Sequence, residues 1–169
     1  TEIYTLSLHD ALPICLVFRC AHLRASIAAL PSHLLQWRHC ELRFNGIGMV
    51  ADEIKRWLCG KLTGVESVRG CHLAKDGHLI ANTWTGTLIY VYLLDETVRV
   101  RNLKRILSEG TRVGVGSLFI VDAALVPSDG ALTTPDEGLL ALHALYRDKV
   151  YTYRQTTDGY AVGQVHFKP

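Results

Sequence analysis

Two runs of this chain are apolar on both of their faces, which narrows the possible folds more than any other feature. In Thr87-Leu-Ile-Tyr-Val-Tyr-Leu-Leu94, Leu88, Tyr90, Tyr92 and Leu94 point one way, and Ile89, Val91 and Leu93 the other. Ser117-Leu-Phe-Ile-Val-Asp-Ala-Ala-Leu125 reads as a second buried strand. A strand with hydrocarbon on both sides needs cover on both sides, so it belongs inside a sheet flanked by helices. Helical spacing surrounds these runs. Val50, Ile54, Trp57, Leu58 and Leu62 share one face, as do Val100, Leu103, Ile106 and Leu107, so helices are predicted over 50–62 and 98–109. Gly60 and Gly64 end the first, Gly110 and Gly114 the second. Ser67 to Ala74 and His78 to Trp84 read as strands joined by Lys75-Asp-Gly77, because Asp-Gly tolerates positive φ. Pro127-Ser-Asp-Gly130 stops the later buried strand. Thr134-Pro-Asp-Glu137 then reads as a capping box with proline at the first helical position, opening a helix to about Arg147. Val150 to Tyr153 and Tyr160 to Phe167 pair across Thr157-Asp-Gly159. The expected order is αβββαβαββ, a single α/β (α+β) domain with a mixed sheet.

The domain is expected to occupy residues 49–169. The first fourteen residues, Thr1-Glu-Ile-Tyr-Thr-Leu-Ser-Leu-His-Asp-Ala-Leu-Pro-Ile14, resemble one reading frame of the adapter ligated to DNA fragments for short-read sequencing. That resemblance implies a metagenomic contig translated through its adapter, and it removes His9-Asp10 as a catalytic pair. Residues 15–48 have an unusual charge pattern: four arginines, no lysine and a single acid, Glu41. Solvated faces normally mix both signs. Met49, the only methionine, precedes a clean amphipathic helix and is the expected initiator. Residues 15–48 then become upstream translation, disordered or weakly helical. The alternative is a native helical segment, since Leu23 to Trp37 has helix-like spacing broken by Pro31. Cys15, Cys20, His22, His33, His39 and Cys40 lack the paired ligand spacing of zinc modules. The chain stops at His166-Phe-Lys-Pro169 on what reads as a strand, so further domains are expected beyond it.

Within 49–169, Lys and Arg number 14 against 13 Asp and Glu. This balance argues against general electrostatic capture of nucleic acid, though not against a local patch. Only Cys59 and Cys71 fall in this region, which suits a reducing, cytoplasmic setting with thiols packed as small hydrophobes. No run approaches the roughly eighteen apolar residues that span a bilayer, so no membrane role is expected.

The order helix, three strands, helix, strand resembles the core of restriction-endonuclease-like nucleases. That resemblance implies Mg²⁺ held by an acid near the start of the second strand and an acid-x-Lys on the third, sometimes with a glutamate from the first helix. Glu53 and Asp76 match the helix and second-strand acids. The third strand, Tyr90-Val-Tyr-Leu-Leu-Asp-Glu-Thr97, has no lysine, and its acids, Asp95 first, come only at the end. Asp76 is more simply read as the turn residue of a hairpin. No cofactor is expected outside the nuclease reading.

Arg99, Arg101, Lys104, Arg105 and Arg112 form the one dense basic cluster. Arg101 and Arg105 share a helical face, as phosphate contacts would. The alternative is a solvated face paired with Asp95, Glu96 and Glu109. No aromatic residue interleaves with these bases, which disfavours single-strand stacking. Gly114-Val-Gly116 follows a helix and enters a strand, the reverse of a dinucleotide loop, so these are helix-exit glycines. His143 lies on the apolar side of the last helix and reads as a core or boundary histidine. Asp122, ending a buried strand, is the best single polar candidate, either paired with His143 or capping the next loop. His72 and His78 flank a hairpin without a third ligand. Tyr90, Tyr92, Tyr151 and Tyr153 read as strand residues chosen for packing.

The stretch Ser117 to Tyr153, with Leu-Phe-Ile-Val-Asp, Leu-Val-Pro, Pro-Asp-Glu, Ala-Leu-His-Ala-Leu and Val-Tyr-Thr-Tyr, resembles an uncharacterised region of environmental bacterial proteins. Some of those carry a co-chaperone J domain elsewhere. The His-Pro-Asp tripeptide of J domains is absent here, so the resemblance implies no such activity. These features lead to the expectation of a cytoplasmic, non-catalytic bacterial accessory domain that binds a protein partner or further domains of its own chain. A degenerate nuclease-like domain binding nucleic acid through Arg99, Arg101, Lys104 and Arg105 is the second expectation. An Mg²⁺-dependent nuclease, or an enzyme built on Asp122 and His143, comes after both. A chain beginning at Met49 is expected to melt cooperatively by circular dichroism. If it is unfolded while the full chain melts cooperatively, residues 15–48 belong to the fold.

Overall fold

The computed structural model describes residues 52–75, 77–127 and 135–166. Residues 1–48, Met49, Asp76, the Ser128–Gly130 part of the proline turn, Thr134 and Phe167 lie outside the described residues. The elements are α1 (Asp52–Thr63), β1 (Val68–Leu73), β2 (Leu79–Thr83), β3 (Leu88–Leu94), α2 (Val100–Val113) and β4 (Gly116–Asp122). A 3-10 turn (Ala123–Leu125), α3 (Glu137–Leu145), β5 (Val150–Thr156) and β6 (Gly159–Val165) complete them. The strands form one six-stranded mixed sheet in the order β1-β2-β3-β4-β5-β6. β1, β2 and β3 are an antiparallel meander, β3, β4 and β5 run parallel, and β6 returns antiparallel to β5. Parallel neighbours cannot be joined by a hairpin, so α2 and α3 serve as crossovers.

The strand register sorts the side chains into two faces. Ala81 pairs with Ile89, Val91 with Leu118, and Leu93 with Ile120, so these share one face with Cys71 and Leu79. α1 covers this face through buried Ile54, Leu58 and Leu62. Trp57 of the same helix meets Tyr160 of β6, with ring centroids 5.8 Å apart, so α1 touches elements at both edges of the sheet. Tyr92, Leu94, Phe119 and Val121 share the other face, against α2 and α3. Successive crossovers of one hand, stepping in one direction, put both helices on the same side. β4 lies between two parallel partners, and Ser117 through Val121 are all buried.

Several boundaries differ from the sequence expectation for identifiable reasons. α2 continues through Gly110 and stops only at Gly114, which adopts φ 74° and closes the helix with Val115 N–H to Gly110 O and Gly114 N–H to Thr111 O. These are the paired bonds of a glycine-terminated helix end. Gly110 is needed inside the helix because a Cβ there would sit 2.8 Å from the Val115 carbonyl oxygen. The last helix begins at Glu137, not Pro135, because Asp136 is the cap: its carboxylate accepts from Gly138 N–H at 2.8 Å. It ends at Leu145, and Arg147 and Asp148 take positive φ. β4 ends at Asp122, whose carboxylate accepts from Ala124 N–H at 2.9 Å and turns the chain into the 3-10 segment.

Two close contacts hold α3 in place. Tyr146, 6% exposed, accepts a hydrogen bond from the backbone N–H of Phe119 at 2.8 Å. Since β4 and β5 pair only at Val121 and Asp122, the phenol satisfies a donor that the ladder leaves open. At the other end, the backbone of Gly138 lies against the carbonyl of Val98, on which an added Cβ would fall. Gly138→Ala is therefore expected to destabilise the domain by about 2–4 kcal/mol, because both sides of the clash are backbone. Chemical denaturation of both forms checks this, and an unchanged midpoint would contradict the packing described.

Candidate functional site

α2 is strongly two-sided. Leu103 and Ile106 are buried against the sheet, while Arg101, Lys104, Arg105, Ser108 and Arg112 are exposed. Positions 101, 105, 108 and 112 fall on one stripe of a 3.6-residue helix, with Lys104 at its flank. The stripe is about 16 Å long, from the rise of an α-helix over its eleven steps. Arg99 extends it, exposed at the N-cap position with an extended backbone. The acids expected to neutralise this face do not. Among the described residues the ion pairs are Lys55 with Asp52 and His143 with Asp148, and none involves Arg99, Arg101, Lys104, Arg105 or Arg112. Burial, then Tyr90, then Glu109 push the Tyr92 phenol up.

A second polar group gathers at the carboxyl ends of the parallel strands. Leu94 pairs with Val121, so Asp95 and Asp122 follow side by side, and Asp122 pairs with Tyr153. Strand alternation puts Asp122 and Tyr153 on the face that α1 covers, and Asp95 follows directly after the end of β3. Tyr153 is 6% exposed, and burial, then Asp122, then Asp95, hold its phenol well above the ordinary tyrosine range. Asp95 Oδ1 is buried with no hydrogen-bond partner. The sequence pointed to each acid separately, because each follows an apolar run. Tyr153 carried no such signal, since only the β4–β5 register brings it beside them.

The remaining candidates are dispersed. Glu53 is exposed on the first turn of α1. Asp76 lies outside the described residues; Gly77 beside it takes φ 82° and its carbonyl accepts from Lys55 Nζ at 3.1 Å. The β3 positions facing α1 are Ile89, Val91 and Leu93, all buried and apolar. His143 is 4% exposed on α3, with Nδ1 3.9 Å from Asp148. α3 packs on the face opposite Asp122, and Asp148 precedes β5 whereas Asp122 ends β4, so the structure does not bring Asp122 and His143 together. His72 is exposed opposite Ile80, and the His78 ring lies edge-on to Tyr90 and Tyr92 at 6.0 and 6.2 Å. Cys59 and Cys71 are half-buried, and burial followed by the Cys59 contact pushes the Cys71 thiol up. Among the described residues, no group of three or more His, Cys, Asp or Glu is placed to hold a metal ion, and no helix is long and apolar enough to cross a membrane.

Comparison with known proteins adds no relative: no family, no curated protein and no solved structure matches the chain.

Four tyrosine phenols are held protonated by burial. Burial pushes Tyr92 and Tyr151 up to about 12, and Tyr146 and Tyr153 higher still. The folded state therefore holds these protons more tightly than the unfolded chain, whose tyrosines ionise near pH 10. Their contribution is complete below pH ~10 and is lost as pH rises through the folded values. The melting temperature is expected to fall between about pH 10 and 12, together with the rise of tyrosinate absorbance. A melting temperature that stays constant across that interval would show that these phenols are not buried as described.

Proposed function

We propose that this domain is a binding module that grips the phosphate backbone of a nucleic acid through the outer face of α2. The supporting observation is the row of Arg101, Lys104, Arg105 and Arg112, extended by Arg99, exposed and without counter-ions among the described residues. Exposed cations of this kind contact phosphates and release condensed counterions, which gives affinity without base readout. The row contains no aromatic side chain, so it suits duplex backbone better than unstacked bases. A non-catalytic role is supported by β3, where Val91 and Leu93 occupy the face on which the nuclease resemblance would need an acid and a lysine. Fold likeness alone carries no activity.

A protein-binding role has separate support in Trp84. It is 69% exposed on the β2–β3 turn, with the Arg69 guanidinium 5.9 Å from its ring centre. Exposed tryptophan of this kind is a frequent interface anchor. It stands alone among the large aromatics, however, and the basic row is the more extended feature.

Fluorescence anisotropy with a labelled DNA duplex across a salt series tests the nucleic-acid reading. Binding is expected at low salt, with a log–log slope that falls by roughly 2 in the Arg101→Ala/Arg105→Ala double variant. No binding at low salt, or an unchanged slope in the double variant, would remove the proposal.

A further inference from the structure

We propose that Cys59 and Cys71 are a redox pair that a hydroperoxide converts into a reversible disulfide between α1 and β1. This inference uses none of the residues of the basic row and does not depend on nucleic-acid binding. In β1, Cys71 pairs with Ala81, which pairs with Ile89, so Cys71 stands on the sheet face that α1 covers. On α1, Leu58 centres the buried stripe, and a helical step of about 100° places Trp57 and Cys59 on its opposite flanks. Trp57 reaches Tyr160 of β6 and carries Lys61 Nζ over its ring, so that flank faces the β6 edge. Lys55, on the Cys59 flank, donates from Nζ to Gly77 O in the β1–β2 turn at 3.1 Å. Cys59 therefore leans toward β1.

The heights of the two thiols agree as well. A short link between Thr63 and Val68 ties the end of α1 to the start of β1, and the Lys55 bond ties the first turn of α1 to the far end of the hairpin strand. Cys71 lies between these ties, alongside the middle turns of α1, which carry Cys59. Both are free thiols, half-buried and packed against the core. Burial first, then the contact and charge of Cys59, push the Cys71 thiol up, so Cys71 keeps its proton and the first attack falls to Cys59. The Cys59 thiolate attacks one peroxide oxygen, the O–O bond breaks, and the departing hydroxide takes up the proton that Cys59 released. Cys59 becomes a sulfenic acid. The Cys71 sulfur then attacks the Cys59 sulfur, the S–O bond breaks, and a second water leaves with the Cys71 proton. Two electrons have passed from the sulfurs to the peroxide, and an external thiol returns them by exchange. The bond staples α1, which covers one face of the sheet, to the β1 edge.

The test treats the reduced full chain with stoichiometric hydrogen peroxide, caps the remaining thiols with N-ethylmaleimide and maps tryptic peptides by mass spectrometry. Trypsin cuts after Arg56 and Lys61, and after Arg69 and Lys75, so the two thiols fall in separate peptides. The 57–61 peptide is expected linked to the 70–75 peptide, and dithiothreitol is expected to return both as capped thiols. Dimedone, which captures sulfenic acid, is expected to label Cys59 in Cys71→Ser about fivefold more than Cys71 in Cys59→Ser. If either variant unfolds, the map of the unsubstituted chain alone decides the matter. Recovery of both peptides singly capped, or joined instead to Cys15, Cys20 or Cys40, overturns the pair, whatever the duplex-binding result. Equal dimedone labelling in the two variants overturns the order of attack.

Discussion

Everything in this fold follows from the need to bury β4 on four sides. Its backbone is paired with β3 on one flank and with β5 on the other, and its side chains are covered by α1 below and by α2 and α3 above. Parallel pairing on both flanks obliges the chain to cross over twice, which is why two helices lie on one face. The β4–β5 ladder is short, and Tyr146 makes up for it by accepting from Phe119 N–H. One phenol thus ties the end of α3 to the centre of the sheet.

That arrangement also separates charge. The basic row lies on the outer surface of α2, above one face of the sheet, whereas Asp95 and Asp122 lie at the carboxyl ends of β3 and β4. The chain is close to neutral as a whole, with 18 basic and 16 acidic residues, so its average charge conceals two local fields of opposite sign. Such fields act at short range, within about 8–10 Å at physiological salt.

The secondary structure was largely legible in the sequence, because periodicity and turn chemistry are local. The order αβββαβαββ, the buried runs at 88–94 and 117–121, and Gly114 as a helix exit all follow from the spacing of apolar residues and from glycine's access to positive φ. The misplaced boundaries are places where a distant contact decides. Gly110 reads as a helix stop but is a close approach to Val115, and the cap at Asp136 replaces the box expected two residues earlier. The basic row was legible because helical neighbours are local, but its lack of counter-ions among the described residues was not, since ion pairing depends on side-chain placement in space.

The sequence by itself determined which segments are helices and strands, which of their faces are apolar, and that α2 carries a cationic stripe. These depend on interactions within a few residues along the chain. Tertiary structure alone decided that Asp122 stands beside Tyr153, and that His143 and Asp122 do not meet. Such pairings join positions tens of residues apart through strand register, and a shift of one residue would turn every side chain to the opposite face.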